Sequence, residues 1–188
     1  MKVALTGMIA AGKSTVLKLF SGLGWMTVET DALAREVWYS KEGQGELRRL
    51  LGCEKVERDV FYRRFLEDKV FRKTWESFVH PRVRAAWVAV LEQNPSANIV
   101  VELPLLYENG LEDRFDKVIV LTASKEDAQN RWERKGRSKE FYRMLSGLLV
   151  PIEEKLNRAD FVIKNDSTLM ELAQTVEALH TKLLKHHG

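Results

Sequence analysis

The chain lacks the features that would set it apart from an ordinary soluble globular protein. Of its 188 residues only Cys53 is a cysteine, which excludes an intrachain disulfide and a cysteine-rich zinc site. With no neighbour to activate it, the thiol reads as a small hydrophobe rather than a nucleophile. No apolar run approaches the roughly 18 residues of a membrane span, and Met1-Lys2 leads directly into a strand-like run where a secretory signal would carry its apolar core. The expectation is a cytoplasmic protein with no membrane partner. A large excess of one charge is also missing: the formal net charge of +3 argues against a nucleic-acid partner. Internal repeats, low-complexity stretches and linkers are absent. What is present is 45% hydrophobic and 30% charged residues, enough for one domain with a sizeable core that carries a subdomain or lid.

The most informative stretch is Gly7-Met8-Ile9-Ala10-Ala11-Gly12-Lys13-Ser14, directly after the apolar run Val3-Ala4-Leu5. It fits the P-loop pattern, two glycines bracketing a turn that ends in Lys-Ser. Gly7 and Gly12 allow a tight backbone ring whose N–H groups converge on phosphate oxygens, and the helix that follows adds its positive end. In such a loop Lys13 reaches the outer phosphates and Ser14 ligates Mg²⁺, with Ala10, Ala11 and Thr15 completing the cradle. On its own the loop implies that some nucleotide's phosphates are held here, with Mg²⁺ on Ser14.

Lys2–Thr6 reads as a buried parallel strand and Lys13–Leu23 as a helix, ended by Gly22 and Gly24. Trp25–Glu29 reads as a second strand, and Thr30 can cap a helix from Asp31 to about Trp38. Glu29 and Asp31 then lie at the carboxyl end of a strand, beside the ligand crevice of such a sheet. Asp31 equally suits the helix dipole alone. From Gly43 to Gln93 the pattern is helical and charged without a strand, which predicts a helical insertion suited to binding a second substrate. His80-Pro81 is expected to break its longest helix, leaving His80 either in the pocket or merely capping the break. Ile99-Val100-Val101 forms a third strand with Glu102 near its end, a position from which a carboxylate supports a metal, although one Glu there is common for other reasons. Strands follow at Lys117–Thr122 and Asp160–Lys164. A helix from Ser124 to about Lys135 and another over Ser138–Leu149 flank Gly136. Between them Arg131, Arg134, Lys135, Arg137, Lys139 and Arg143 are offset only by Glu133 and Glu140, as a phosphate-closing lid requires. A last amphipathic helix runs from Thr168 to about Lys185, and His186-His187 reads as a frayed end.

Together, Gly7–Ser14, Glu29-Thr30-Asp31-Ala32-Leu33-Ala34-Arg35, Arg63 with Val70-Phe71, Phe78-Val79-His80-Pro81, Pro104-Leu105-Leu106-Tyr107-Glu108, and Glu153-Glu154-Lys155 leading to Arg158–Asn165 resemble the dephospho-coenzyme A kinases in order and approximate spacing over nearly the whole chain. The resemblance implies an α/β, three-layer P-loop NTPase fold with a five-stranded parallel sheet, a helical substrate-binding insertion and a lid. The chain 1–188 would form a single domain, with residues 1–39 and 97–188 as the nucleotide-binding core, 40–96 as the acceptor-binding insertion and 131–150 as the lid. It implies transfer of the γ-phosphate of ATP to the ribose 3′-hydroxyl of dephospho-coenzyme A. In that reading Asp31 accepts the hydroxyl proton, and Arg35, Arg63, His80, Leu105 and Glu108 line the acceptor pocket. Arg131 and Arg134 stabilise the moving charge, and Asn165 borders the adenine. The chain departs from the family pattern at Met8 and Ala10, where glycines are usual, at Glu29, where an Asp is usual, and in the lid at Lys135, Leu145 and Leu149. Two other readings share the same residues: a nucleoside or nucleoside monophosphate kinase, and a non-catalytic nucleotide- or nucleic-acid-binding regulator.

Overall fold

The computed structural model describes residues 1–185, so His186 and His187 lie outside the described residues. Residues Met1–Glu29 and those from Asn94 onward form one compact unit, and Thr30–Gln93 form another.

The first unit is built on a five-stranded, all-parallel sheet of β1 (Lys2–Gly7), β2 (Met26–Glu29), β3 (Ile99–Glu102), β4 (Lys117–Thr122) and β5 (Phe161–Lys164), in the order β2-β3-β1-β4-β5. The central strands β1, β3 and β4 are buried over nearly their whole length, as parallel strands covered on both faces must be, whereas the edge strands β2 and β5 leave Met26 and Val162 exposed. On one face Val3, Leu5, Val100, Ile119, Leu121 and Ile163 pack with Val16, Leu17 and Phe20 of α1 (Lys13–Gly22) and with Leu172, Val176, Leu179 and Leu183 of α9 (Leu169–Lys185). Residues of the other parity, Ala4, Val101 and Val120, are equally buried. The indole N–H of Trp25 donates to His180 Nδ1 of α9 at 2.8 Å, which gives this buried ring its polar partner. The order reverses across central β1, so the loop after β1 opens at the carboxyl edge where ligands of such sheets bind. The other helices of this unit are α6 (Lys125–Glu133), α7 (Lys139–Gly147) and α8 (Ile152–Asn157). Ser124 and Ser138 cap α6 and α7 by accepting from the backbone N–H of Asp127 and Phe141.

The second unit is helical throughout: α2 (Thr30–Tyr39), α3 (Lys41–Leu51), α4 (Arg58–Glu67) and α5 (Lys69–Gln93). Its core is aromatic. Phe61, Phe71 and Trp75 are buried with Leu47 and Val79, and Trp38 meets Phe61 edge-to-face at 4.6 Å and Trp75 at 5.6 Å. Helix α3 starts at Lys41, earlier than the apolar spacing alone predicts, because Ser40 accepts from Gly43 N at 2.9 Å.

The break expected at His80-Pro81 does not occur. Helix α5 runs uninterrupted through Pro81 for 25 residues, although a proline there removes one amide donor and crowds the preceding turn. Core contacts on both sides of it, from Val79 and Val83, hold the helix together. The Arg82 guanidinium closes over the Phe78 ring at 3.7 Å and donates to the Phe78 carbonyl at 2.9 Å. Pro81 is exposed, so Pro81→Ala removes little packing and returns a donor. It should stabilise the protein by about 1–3 kcal/mol, read as a higher Tm.

His80 is half-buried on the same helix. Burial holds its imidazole below the ordinary 6.5, against the upward pull of Glu76 and with a further downward push from Arg84. An unfolded chain therefore takes up a proton that the folded one resists. The resulting stabilisation is complete above pH 6.5 and is lost as pH falls through the lower folded value. His80→Gln should accordingly flatten the fall in Tm between about pH 7 and pH 5; an unchanged slope would show that other groups carry it.

Candidate active site

The loop between β1 and α1 has the backbone that its two glycines foretell. Gly7 stands at φ +136° and Gly12 at φ +104°. A Cβ on Gly7 would lie 1.9 Å from the Leu121 carbonyl of β4, and one on Gly12 would lie 2.5 Å from Asn165 Nδ2. Ala10 takes the left-handed conformation, φ +57°, and is the one non-glycine residue with positive φ among the described residues; that conformation costs a side-chain-bearing residue about 1–2 kcal/mol. Of the two residues in place of the usual glycines, Met8 packs against the sheet core while its sulfur accepts from Thr122 Oγ1 at 3.1 Å, and Ala10 is followed by the fully buried Ala11.

Two side chains brace the loop. Asn165, just past β5, donates from Nδ2 to the Ala11 carbonyl at 2.7 Å. Arg131 of α6 donates to that same carbonyl at 3.3 Å and to the Asn165 carbonyl at 3.0 Å. The guanidinium is thus held against the loop by backbone oxygens. Arg134, at the end of α6, is exposed.

On the opposite side of the loop, Lys13 is buried. Its Nζ donates to the Met8 carbonyl at 2.9 Å and lies 4.0 Å from Glu102 Oε1. Glu102, also buried, is the register partner of Glu29 on β2, which puts two carboxylates side by side at the carboxyl ends of neighbouring strands. Ser14 Oγ donates to Glu29 Oε1 at 3.2 Å. Helix α1 has neither a side-chain cap at Gly12 nor an acidic residue in its own first turn, the arrangement that favours an anion at a helix's amino end.

The structure therefore brings Gly7, Ala10, Ala11, Gly12, Lys13, Ser14, Thr15, Glu102, Arg131 and Asn165 into one constellation. Glu29 joins them as the partner of Ser14. Its place at a strand end signalled nearness, but the hydrogen bond depends on the β2–β3 register. Leu105 is half-buried in the turn after β3. Glu108, in the same turn, has its Oε1 engaged inside the protein by Lys155 Nζ at 2.7 Å and Val150 N at 2.8 Å. The pairing with Lys155 had no local signal in the sequence. In the helical unit, Asp31 and Arg35 lie on one face of α2 at i and i+4 spacing, both exposed. Arg63 is exposed on α4, and His80 lies on α5, against which both α2 and α4 pack.

The phosphate loop alone is shared by many enzymes, so comparison with known proteins narrows the choice. The family model described as dephospho-CoA kinase (CoaE) matches residues 1–171. The chain belongs to the dephospho-CoA kinase family. A dephospho-CoA kinase of Staphylococcus aureus (strain bovine RF122 / ET3-1) is 33% identical to it over 99% of this chain and 93% of the relative. Among solved structures, protein TT1252 of Thermus thermophilus has a TM-score of 0.80 at 31% identity, covering 97% of both chains. The dephospho-CoA kinase of Campylobacter jejuni has a TM-score of 0.70 at 28% identity, covering 100% of both. Family membership over this span disfavours the nucleoside kinase and non-catalytic readings.

Because Gly12 is pressed by Asn165, Gly12→Ala should destabilise the protein both sterically and through its backbone. Asn165→Ala in the same chain relieves only the steric part, so the double variant should lose less than the sum of the two single losses by about 1 kcal/mol or more. Urea denaturation of the four proteins measures it; strict additivity would contradict the contact.

Proposed function

We propose that this chain transfers the γ-phosphate of ATP to the ribose 3′-hydroxyl of dephospho-CoA, giving CoA and ADP in the cytoplasm. The observation that carries the reading is the braced phosphate loop, with Lys13 buried between the Met8 carbonyl and Glu102, in a member of the dephospho-CoA kinase family. No helix among the described residues is long and apolar enough to cross a membrane.

The loop N–H groups and the amino end of α1 hold the phosphates, and Lys13 turns from the Met8 carbonyl to meet their outer oxygens. Asp31 accepts the proton of the 3′-hydroxyl as that oxygen bonds to the γ-phosphorus and the bond to the bridging oxygen of ADP breaks. Arg35, Arg63 and His80 bind the acceptor, with Leu105 bordering it. Glu108 contributes through the turn it fixes. Arg131 adds its charge while bracing the loop, Arg134 closes from the lid, and Asn165 borders the adenine.

The donor set fits Mg²⁺. Ser14 and Glu29 supply hard oxygens side by side, with Glu102 placed to act through water. Among the described residues no group of three His, Cys, Asp or Glu forms a cage of its own, and an ion that takes most of its ligands from phosphates and water needs none. When bound it neutralises phosphate charge.

The test is incubation with ATP, Mg²⁺ and either dephospho-CoA, adenosine or AMP, with products identified by mass. Dephospho-CoA should be the preferred acceptor; equal or better use of adenosine or AMP would sink the assignment. Lys13→Ala should abolish turnover. Asp31→Asn should lower kcat by about 10²–10⁴-fold with KM little changed.

A further inference from the structure

Among the described residues, Lys155 is the most deeply buried charged side chain that the phosphate chemistry does not use, at 1% exposure. Its Nζ pairs with Glu108 Oε1 at 2.7 Å and donates to the Pro104 carbonyl at 3.3 Å. Thr6 Oγ1, on the last turn of β1 before the phosphate loop, approaches that carbonyl at 3.5 Å. Glu108 Oε1 in turn accepts from the backbone N–H of Val150 at 2.8 Å. One ammonium group thus joins the end of β1, the turn after β3 and the connection between α7 and α8. A second clamp lies alongside: Arg158, just past α8, sits over the Tyr107 ring at 4.3 Å and pairs with Glu112 and Glu154.

Stability alone does not account for such a pair. Desolvating both ions offsets most of their attraction, and an apolar pair of similar volume is commonly as stable. What the pair does uniquely is orient the Val150 amide, where the basic segment ends. Within the segment Gly136 stands at φ +70°, with open space where a Cβ would stand. Between Gly136 and Val150, α7 buries none of its residues. Across Gly136 the segment rests on Trp132 of α6, whose indole N–H donates to the Ser138 carbonyl at 2.8 Å and whose ring lies under the Arg137 guanidinium at 4.6 Å, while its carboxyl end is pinned at Val150 by Glu108.

We propose that Lys155 is a positioning residue for phosphate transfer. Acting through Glu108, it pins the carboxyl end of the lid at Val150, so that the basic residues of the segment meet bound ATP in a single register. This rests on the kinase reading above, in which residues 131–150 act as the lid.

The test compares the wild-type protein with Lys155→Met/Glu108→Leu, an apolar replacement of the pair, and with Glu108→Gln, which keeps an acceptor for Val150. Trypsin cleavage at the exposed Arg137, Lys139 and Arg143 is followed with and without ATP–Mg²⁺, beside steady-state kinetics on protein verified as folded by circular dichroism. In the wild type ATP should slow lid cleavage. In the double variant that protection should vanish and kcat/KM for ATP should fall by up to about 100-fold. Glu108→Gln should lie between, and it carries the same test should the double variant fail to fold. Wild-type protection and kinetics in a folded variant would overturn the proposal, as would the absence of ATP protection in the wild type. Protection needs ATP alone, so failure to phosphorylate dephospho-CoA would sink the kinase reading and leave the anchoring separately measured.

Discussion

The Leu121 carbonyl of β4 points at the place where a side chain on Gly7 would begin, 1.9 Å from an ideal Cβ, and it accepts the Met8 N–H at 3.0 Å. This close approach turns the chain out of β1 and into the phosphate loop. It follows from the parallel register, which sets Gly7 against Leu121 and Leu5 against Glu102. With that register in place, Lys13 at the start of α1 comes within 4.0 Å of Glu102, and Glu29 stands beside Glu102 with Ser14 on its carboxylate. A slip of one residue would reverse the facing of every side chain on the strand. The site is in this sense a property of the sheet.

The loop tolerates its unusual composition because other parts of the protein stiffen it. Glycines at positions 8 and 10 would offer conformational freedom; Met8 and Ala10 instead give a loop whose conformation is held by packing. The strain at Ala10, on the order of 1–2 kcal/mol, is offset by the burial of Ala11 and by the donors from Asn165 and Arg131 that converge on its carbonyl. A ring held in this way needs little ordering when phosphate arrives, which is the advantage of preorganisation in binding and in transfer. Buried charge follows one rule in this unit: Lys13 faces Glu102 and Lys155 faces Glu108, each beside a backbone carbonyl, as an ion withdrawn from water requires.

The helical unit is stabilised differently. Aromatic rings meeting edge-to-face carry its core, and arginines lie over several of them, including Arg64 over Phe71 and Arg82 over Phe78. That core is strong enough to carry α5 through Pro81, where local preference alone would end the helix. It leaves Asp31, Arg35 and Arg63 exposed and polar.

Local chemistry made much of this legible from residues alone. Short apolar runs marked the strands because a parallel sheet buries its central strands on both faces, and Gly7-to-Ser14 marked the loop because few backbones other than a phosphate ring need that spacing. Ser124 and Ser138 marked helix starts because a side-chain cap acts within a few residues. What tertiary structure decided were the interactions between residues distant in sequence: Asn165 and Arg131 on Ala11, Lys155 on Glu108, Glu29 beside Glu102, and the passage of α5 through Pro81. Sequence patterns report preferences over one or two turns of chain, whereas each of these contacts depends on strand register or on core packing, which exist only once the chain has folded.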